Sequence, residues 1–417
     1  MKKWYNDFRI FFKRGAAMGA VGIVAEYNPL HNGHIYHMEQ AKAQTGADFC
    51  VIAMSGNFVQ RGEPACADKF TRAEWALRAG ADLIVEIPQC LAVASAERFA
   101  EGAVKLLAAT GIVTDIAFGV ETENMDGLYR IADILDREPP AFRTNLAYHL
   151  KQGKSYPRAQ FDALSDLNIP RGDVALLTQP NNILAVEYIK AIRRFAPHIR
   201  AVPILRQGNG YNDTELTGAL SSATAIRQAL REGNDAVLDT MPLFVSGAMR
   251  FDEQFPITLD YFGPMILYRL RSMSLEEIAA LPDVSEGFEQ VIARAVRETS
   301  DLSAFLEQIK TKRYTMARCK RIAVSALLHM NRELPEELLN HRENLYLRVL
   351  GFLTGSRGLL AAMASAGSAP VILRNSDIMD CTDIARDSMA IDAFATDLMG
   401  YVIGREPHRD QQSAIRL

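Results

Sequence analysis

The stretch GAVGIVAEYNPLHNGHIYH, residues 19–37, decides the fold. Its first half is a short apolar run ending at Asn28-Pro29, which suits a strand buried on both faces of a parallel sheet. Asn-Pro then forces a turn, and Gly33 lets backbone approach a ligand closely. His34 falls at the start of a helix, where free amides and the helix dipole attract anions. His31 and His34 are three apart, so they share a face if the turn is helical. Two imidazoles and a helix N-terminus at the carboxyl end of the first strand suit charge building up on an α-phosphate. A bare HxxH is weak evidence; the strand, Pro/Gly turn and helix around it give it weight.

Outward from this stretch, strands alternate with helices. DFCVIAM (48–54), DLIVEIP (82–88), TDIAFGVE (114–121) and AVPILR (201–206) read as strands. Helices are expected over 34–45, 69–80, 96–110, 182–195 and 223–231, with further helical segments around 125–167. This spacing predicts right-handed βαβ units and an α/β, doubly wound parallel sheet of Rossmann type. Beyond about residue 240 long amphipathic stretches dominate (261–272, 286–299, 301–310, 315–330), with short strand candidates near 347–352 and 371–374. The expected organisation is an unordered extension over 1–18, an ATP-binding catalytic domain over 19–240 and a mainly helical domain over 241–417. The extension, MKKWYNDFRIFFKRGAAM, is basic with aromatic residues at the spacing of an amphipathic helix; the favoured, plainer readings are a loose extension or an upstream start codon with Met18 as the true beginning.

Bulk composition narrows the class. The 417 residues carry 46 Lys+Arg against 50 Asp+Glu and are 48 % hydrophobic, which is globular and too long for one compact core. Five scattered cysteines form neither a disulfide framework nor a zinc pattern, and they fit a reducing cytoplasm. No uncharged run approaches the ~20 residues of a membrane helix, so no membrane association is expected. A net charge of −4 argues against DNA, but the local run at 310–321 matters more for RNA.

HNGH resembles the HxGH signature of the nucleotidyltransferase superfamily, and LSSATAIR (220–227) resembles its ISSTxxR element. Read without that resemblance, Ser-Ser-Ala-Thr is equally a helix cap. At longer range GIVAEYNPLHNGHIYH (22–37), MSGNFVQRGEPA (54–65), DKFTRAEWAL (68–77), FGVE (118–121), PNNILAVEY (180–188) and ILRQGNGYND (204–213) together resemble the bacterial tRNA(Met) cytidine acetate ligases. KRYTMARCKR (312–321) and LRVLGFLTGSRGLL (347–360) extend the likeness to the C-terminal half. Ala185 stands where a glycine is common in that family, and Gly208-Asn209-Gly210 departs from its pattern.

The resemblance implies a two-step ligase. Acetate attacks the α-phosphate of ATP, and the acetyl group then passes to the N4 amine of the wobble cytidine of elongator tRNA(Met). It implies ATP as substrate, Mg²⁺ as its counterion and no protein-bound metal. Carried over by position, the catalytic residues are His31, Gly33 and His34. The nucleotide site comprises Val24, Ala25, Glu26, Tyr27, Asn28, Pro29, Leu30, His31, Asn32, Gly33, His34, Ile35, Tyr36, His37, Gly119, Asn181, Asn182 and Arg206. Ser221, Ser222, Thr224 and Arg227 join them at the β- and γ-phosphates. An ordinary turn glycine and an ordinary Pro-Asn-Asn cap are the alternatives at Gly119 and Asn181-Asn182.

The loop SGNFVQRGEPACADK (55–69) is too long and polar to be a mere connector. Arg61 and Lys69 in it are candidates for acetate or phosphate. Lys310, Lys312, Arg313, Arg318, Lys320 and Arg321 fall within twelve residues without an acid and are candidates for tRNA phosphates. Two other functions fit parts of the pattern: a small-molecule adenylyltransferase, and an RNA-binding protein with a vestigial nucleotide fold.

Overall fold

The computed structural model describes residues 19–207, 221–250, 256–285, 287–406 and 409–417. The extension 1–18 and Gly208-Asn209-Gly210 lie outside the described residues. The apolar runs form the strands expected of them: β1 (Ala20–Ala25), β2 (Phe49–Ser55), β5 (Leu83–Ile87), β6 (Val113–Val120) and β7 (Arg200–Leu205). They lie side by side in the order β5-β2-β1-β6-β7, all parallel. Every residue of β5 is buried, as a strand covered on both faces requires.

Helices α1 (Asn32–Thr45) and α2 (Lys69–Arg78) cover one face. On the other lie α3 (Ala96–Ala109) and α4 (Pro180–Phe195). The winding direction therefore reverses between β1 and β6, and the crevice beyond their carboxyl ends is where such sheets bind ligands. Beyond β7, helix α5 (Ala223–Arg231) returns to the α1 face, with Ile226 and Ala229 in that core.

The long amphipathic stretches form helices at 263–272, 288–298, 302–309 and 316–327, the last designated α6 (Met316–Leu327). The chain then returns to the first sheet. Strand β8 (Leu347–Phe352) pairs antiparallel with β5, and two short strands, β9 (Val371–Ile372) and β10 (Ile415–Arg416), pair parallel with β8. The sheet is therefore mostly parallel but mixed at one edge. Helix α7 (Asp383–Val402) lies between β9 and β10 in the chain.

A buried charge cluster fastens this returning segment. Glu86 interrupts the apolar strand β5, and both its oxygens accept from the Lys69 ammonium, at 2.8 and 2.9 Å. Lys69 also reaches Asp410 at 2.9 Å, and Arg348 of β8 reaches Asp410 at 2.6 Å and Glu86 at 3.4 Å. Two cations face two anions with almost no solvent exposure. Removing one member leaves an uncompensated buried charge, which costs about 3–5 kcal/mol.

The loop between β2 and α2 contains a small hairpin absent from the sequence reading, β3 (Phe58–Val59) with β4 (Glu63–Pro64). Its turn needs glycine twice over at Gly62, where φ is 72° and a Cβ would sit 2.4 Å from the Arg321 amide of α6. Phe58 packs edge-on against Phe262, and Lys320 bonds Glu63 at 2.5 Å. The hairpin is thus wedged against the helical region.

Replacing Lys69 by Met should lower unfolding stability by about 3–5 kcal/mol. Urea titration of wild type and variant measures this, and an unchanged midpoint would refute the assigned role.

Candidate active site

At the β1/β6 crevice lies a cavity of about 320 Å³. β1 ends into it through Val24, Ala25 and Glu26, and the chain then reverses. Tyr27 adopts φ 48°, and the Asn28–Pro29 peptide is cis. Leu30 is buried in the core below, and His31 becomes the N-cap of α1.

The two histidines cap this helix reciprocally. The Gly33 amide donates to His31 Nδ1 at 3.1 Å, and the His31 amide donates to His34 Nδ1 at 3.2 Å. This has the form of a capping box, with imidazoles in place of hydroxyl and carboxylate. Each Nδ1 needs its lone pair for the bond, so each ring carries its proton on Nε2. The rings lie 3.8 Å apart and tilted by 31°, and both line the cavity. Gly33 makes the arrangement possible, since a Cβ there would come within 2.9 Å of the His31 ring.

Both imidazoles are neutral. Burial, then Arg206 and Arg227, push His31 down to about 3, and burial, then His31 and Arg206, hold His34 well below its ordinary value. His37, one turn further and also on the wall, is lowered by burial and Arg206 to about 4. The cavity therefore offers uncharged N–H donors beside fixed cations.

Those cations come from three places. Arg206 follows β7, and its stem lies 3.3–3.4 Å from where a Cβ of Gly119 would project, so the glycine leaves room for it. Arg227 of α5 donates to the Asn28 carbonyl at 2.8 Å, which ties α5 to the turn after β1. Arg61 reaches the wall from the hairpin turn. Against them stands, among the described residues, one lining carboxylate, Glu26. It accepts from the Gln60 amide at 3.0 Å, and burial, which outweighs that bond and Arg227, pushes it up.

Of the residues expected at the site, Val24, Ala25, Glu26, Tyr27, Asn28, His31, Gly33, His34, Tyr36, His37, Arg61, Gly119, Asn181, Arg206, Ser221 and Arg227 line the cavity. Pro29, Leu30, Asn32, Ile35, Asn182, Ser222 and Thr224 do not; they support it or lie beside it. Asn32 donates to the Asp239 carbonyl, and Ile35 packs on the core of the α1 face. Asn182 is buried, accepting from the Glu121 amide at 2.8 Å, while Asn181 donates to the Glu121 carboxylate at 2.6 Å. Ser222 caps α5 through the Ala225 amide, so the cap reading of this element holds for that residue.

One expectation needs correction, and a second site is less open than a run of charge suggests. Lys69 is fully buried in the charge cluster and does not reach the cavity, because its ammonium is held by Glu86 and Asp410. The run 310–321 is not one open basic face. Lys310 pairs with Glu307, Lys320 with Glu63 and Arg321 with Asp283; Arg318 donates to the Asp283 carbonyl and covers the Tyr314 ring. Tyr314 itself is buried and stacked on Phe288 at 3.5 Å. Lys312 and Arg313 are exposed.

Sequence reading missed the apolar half of the wall, formed by Phe99, Phe118, Leu184, Tyr188 and Ile204. Phe118 and Tyr188 pack together at 5.6 Å beneath it. Their signal lay in FGVE and PNNILAVEY, where the polar residues drew the attention.

The neutral state of His31 has a pH signature. At pH 7 the imidazole is neutral in both folded and unfolded chains. Between about 6.5 and 3 only the unfolded chain takes up the proton, so stability is lost as pH falls. His31→Asn keeps an N-cap acceptor but cannot titrate. Urea titrations at pH 7 and pH 5 should show the variant losing about 2 kcal/mol less than wild type. Equal losses would mean that His31 is not buried neutral.

Comparison with known proteins agrees with this geometry. The profile of the HIGH Nucleotidyl Transferase family matches residues 18–414. The tRNA(Met) cytidine acetate ligase of Acetivibrio thermocellus is 38% identical over 396 residues, covering 91% of this chain and 94% of that protein. That of Thermotoga maritima is 37% identical over 373 residues, covering 87% and 89%. The crystal structure of Thermotoga maritima TmcAL in its apo form I superposes with a TM-score of 0.89 at 35% identity, covering 96% of this chain and 100% of that one. The same protein bound with alpha-thio ATP (form II) gives 0.84 at 33% identity, with the same coverage. With the signature histidines, the switch-point cavity and this full-length likeness in agreement, the chain belongs to the tRNA(Met) cytidine acetate ligase family of HIGH nucleotidyl transferases.

Proposed function

We propose that the protein uses ATP to activate acetate and transfers the acetyl group to the N4 amine of the wobble cytidine of tRNA(Met). The observation that carries this reading is the pair of neutral imidazoles on the α1 N-terminus, set among three arginines at the switch-point cavity. Support also comes from the names of the relatives and from the alpha-thio ATP held by the Thermotoga maritima protein.

In the first step a carboxylate oxygen of acetate bonds to the α-phosphorus and the bond to pyrophosphate breaks. Charge grows on the α-phosphate oxygens as this happens. Nε2–H donors of His31 and His34, with the free amides of α1, are fixed beforehand to meet it, and such donors act more strongly on the transition state than on the ground state. Arg206 and Arg227 carry the charge of the departing phosphates, and Ser221 adds a hydroxyl. Gly119, Asn181 and the apolar wall would take the nucleoside. Arg61, beside Glu26, is the guanidinium assigned to acetate. Mg²⁺ enters with ATP as its counterion, and phosphate oxygens would hold the ion.

In the second step the N4 nitrogen bonds to the acetyl carbon, the carbon–oxygen bond to AMP breaks and N4 gives up a proton. An exocyclic amine delocalised into its ring is a weak nucleophile, which is why a mixed anhydride is needed. Phe99, Phe118 and Tyr188 keep the anhydride away from water. The base must leave its stack to enter the cavity, as enzymes acting on a base require. Cytoplasmic placement belongs to this proposal; it is supported by five unpaired cysteines, four of them buried. No helix among the described residues is long and apolar enough to cross a membrane.

Purified protein should exchange labelled pyrophosphate into ATP only when acetate is present, and should move labelled acetate into a tRNA(Met) transcript with one AMP per acetyl group. His34→Ala should slow the exchange by about 10²–10³-fold. Exchange independent of acetate, or full activity in His34→Ala, would refute the reading.

A further inference from the structure

The loop between β2 and α2 carries two carboxylates beyond the cavity wall, Glu63 and Asp68, and cations from three other segments gather on them. Lys320 of α6 bonds Glu63 at 2.5 Å. Burial raises the Glu63 carboxyl, but Lys320, Arg227 and Arg231 together bring it below its ordinary value. Arg405 and Arg409, beyond α7, each reach Asp68 at 2.7 Å. Arg61, at the hairpin turn of the same loop, lines the cavity.

Among the described residues, this rim thus gathers six cations about Glu63, Asp68 and, at the cavity wall, Glu26. It is also open: Arg231 is exposed, and the side chains of Arg405, Arg409 and Lys320 are 41%, 31% and 26% accessible. It is continuous with the site through Arg227, which lines the cavity and lies one helical turn before Arg231. Such a cation-rich edge matches a polyanionic strand, and a strand whose base enters the cavity must cross its edge.

We propose that this rim of Arg61, Arg231, Lys320, Arg405 and Arg409, to which the run 310–321 contributes Lys320 alone, grips the phosphates of the RNA strand flanking the acceptor base. The proposal rests on the acetyl-transfer reading for its choice of RNA. Rim cations assembled from residues 61, 227–231, 320 and 405–409 are invisible as a run in sequence.

The test is direct binding, which requires no chemistry. Affinity of a fluorescently labelled tRNA(Met) transcript is measured by anisotropy against salt concentration for the full-length protein. Arg231→Ala and Arg405→Ala should each weaken binding and flatten the slope of log K against log salt by about 0.7, the value for one single-strand phosphate contact. In Arg405→Ala, Asp68 keeps Arg409 and its bonds to the Phe70 and Thr71 amides, so α2 stays capped. Arg137→Ala makes the same charge change on a side chain 76% exposed at the far end of helix 125–137, and should leave the slope unchanged. Unchanged slopes in both rim variants, or equal flattening in Arg137→Ala, would overturn the rim. So would flattening confined to Lys312→Ala and Arg313→Ala. If the rim variants lose affinity while wild type fails to acetylate, the rim stands and the functional reading falls.

Discussion

Everything at the site depends on how the first turn of α1 is closed. A helix begins with free amides, and here two imidazoles satisfy two of the amides at its start through their Nδ1 atoms. That one choice fixes several properties together. It locks the tautomers, aims Nε2–H at the cavity, and requires both rings to stay uncharged while buried beside Arg206 and Arg227. It also explains the intervening glycine, since any side chain at Gly33 would displace the His31 ring from its bond. The signature HNGH is a statement about helix capping before it is one about catalysis.

A second constraint holds the cavity edge in place. Arg72 is buried without exposure, and its guanidinium donates to the carbonyls of Glu26, Ser55, Gly56 and Ala67. It joins the carboxyl ends of β1 and β2 to both ends of the loop that carries Gln60 and Arg61. The charge cluster of Lys69, Glu86, Arg348 and Asp410 then ties the following helix to the C-terminal segment. Contacts of Gly62, Glu63 and Phe58 with the helical region complete the frame. Regions distant in the chain therefore share responsibility for the position of one loop.

Much of this was legible in the sequence, for reasons of period and chemistry. Buried strands write themselves as apolar runs, and a turn rich in Pro, Gly and His after the first one marks the site. What sequence cannot display is partnership. Arg61 and Lys69 look alike in the same polar segment, yet one lines the cavity and the other neutralises Glu86. The run 310–321 looks like a basic face because its acids, Glu63, Asp283 and Glu307, mostly lie elsewhere in the chain. Strand β8 was visible as a short apolar run, but its return to the edge of β5 was not, because antiparallel pairing leaves no mark in local pattern. The apolar wall was hidden for a similar reason: Phe118 and Tyr188 read as ordinary core beside more conspicuous polar neighbours.

The central claim is that acetate itself attacks the α-phosphate in this cavity. Acetate carrying ¹⁸O in both oxygens, supplied with ATP and tRNA(Met), tests it most directly. Attack at the α-phosphorus leaves one labelled oxygen bridging the acetyl group and AMP, and transfer of the acetyl group leaves that oxygen on AMP. Mass spectrometry of the products should therefore find one ¹⁸O per AMP and one in the acetylated base. Label absent from AMP, or appearing in a phosphate released alongside ADP, would contradict the account.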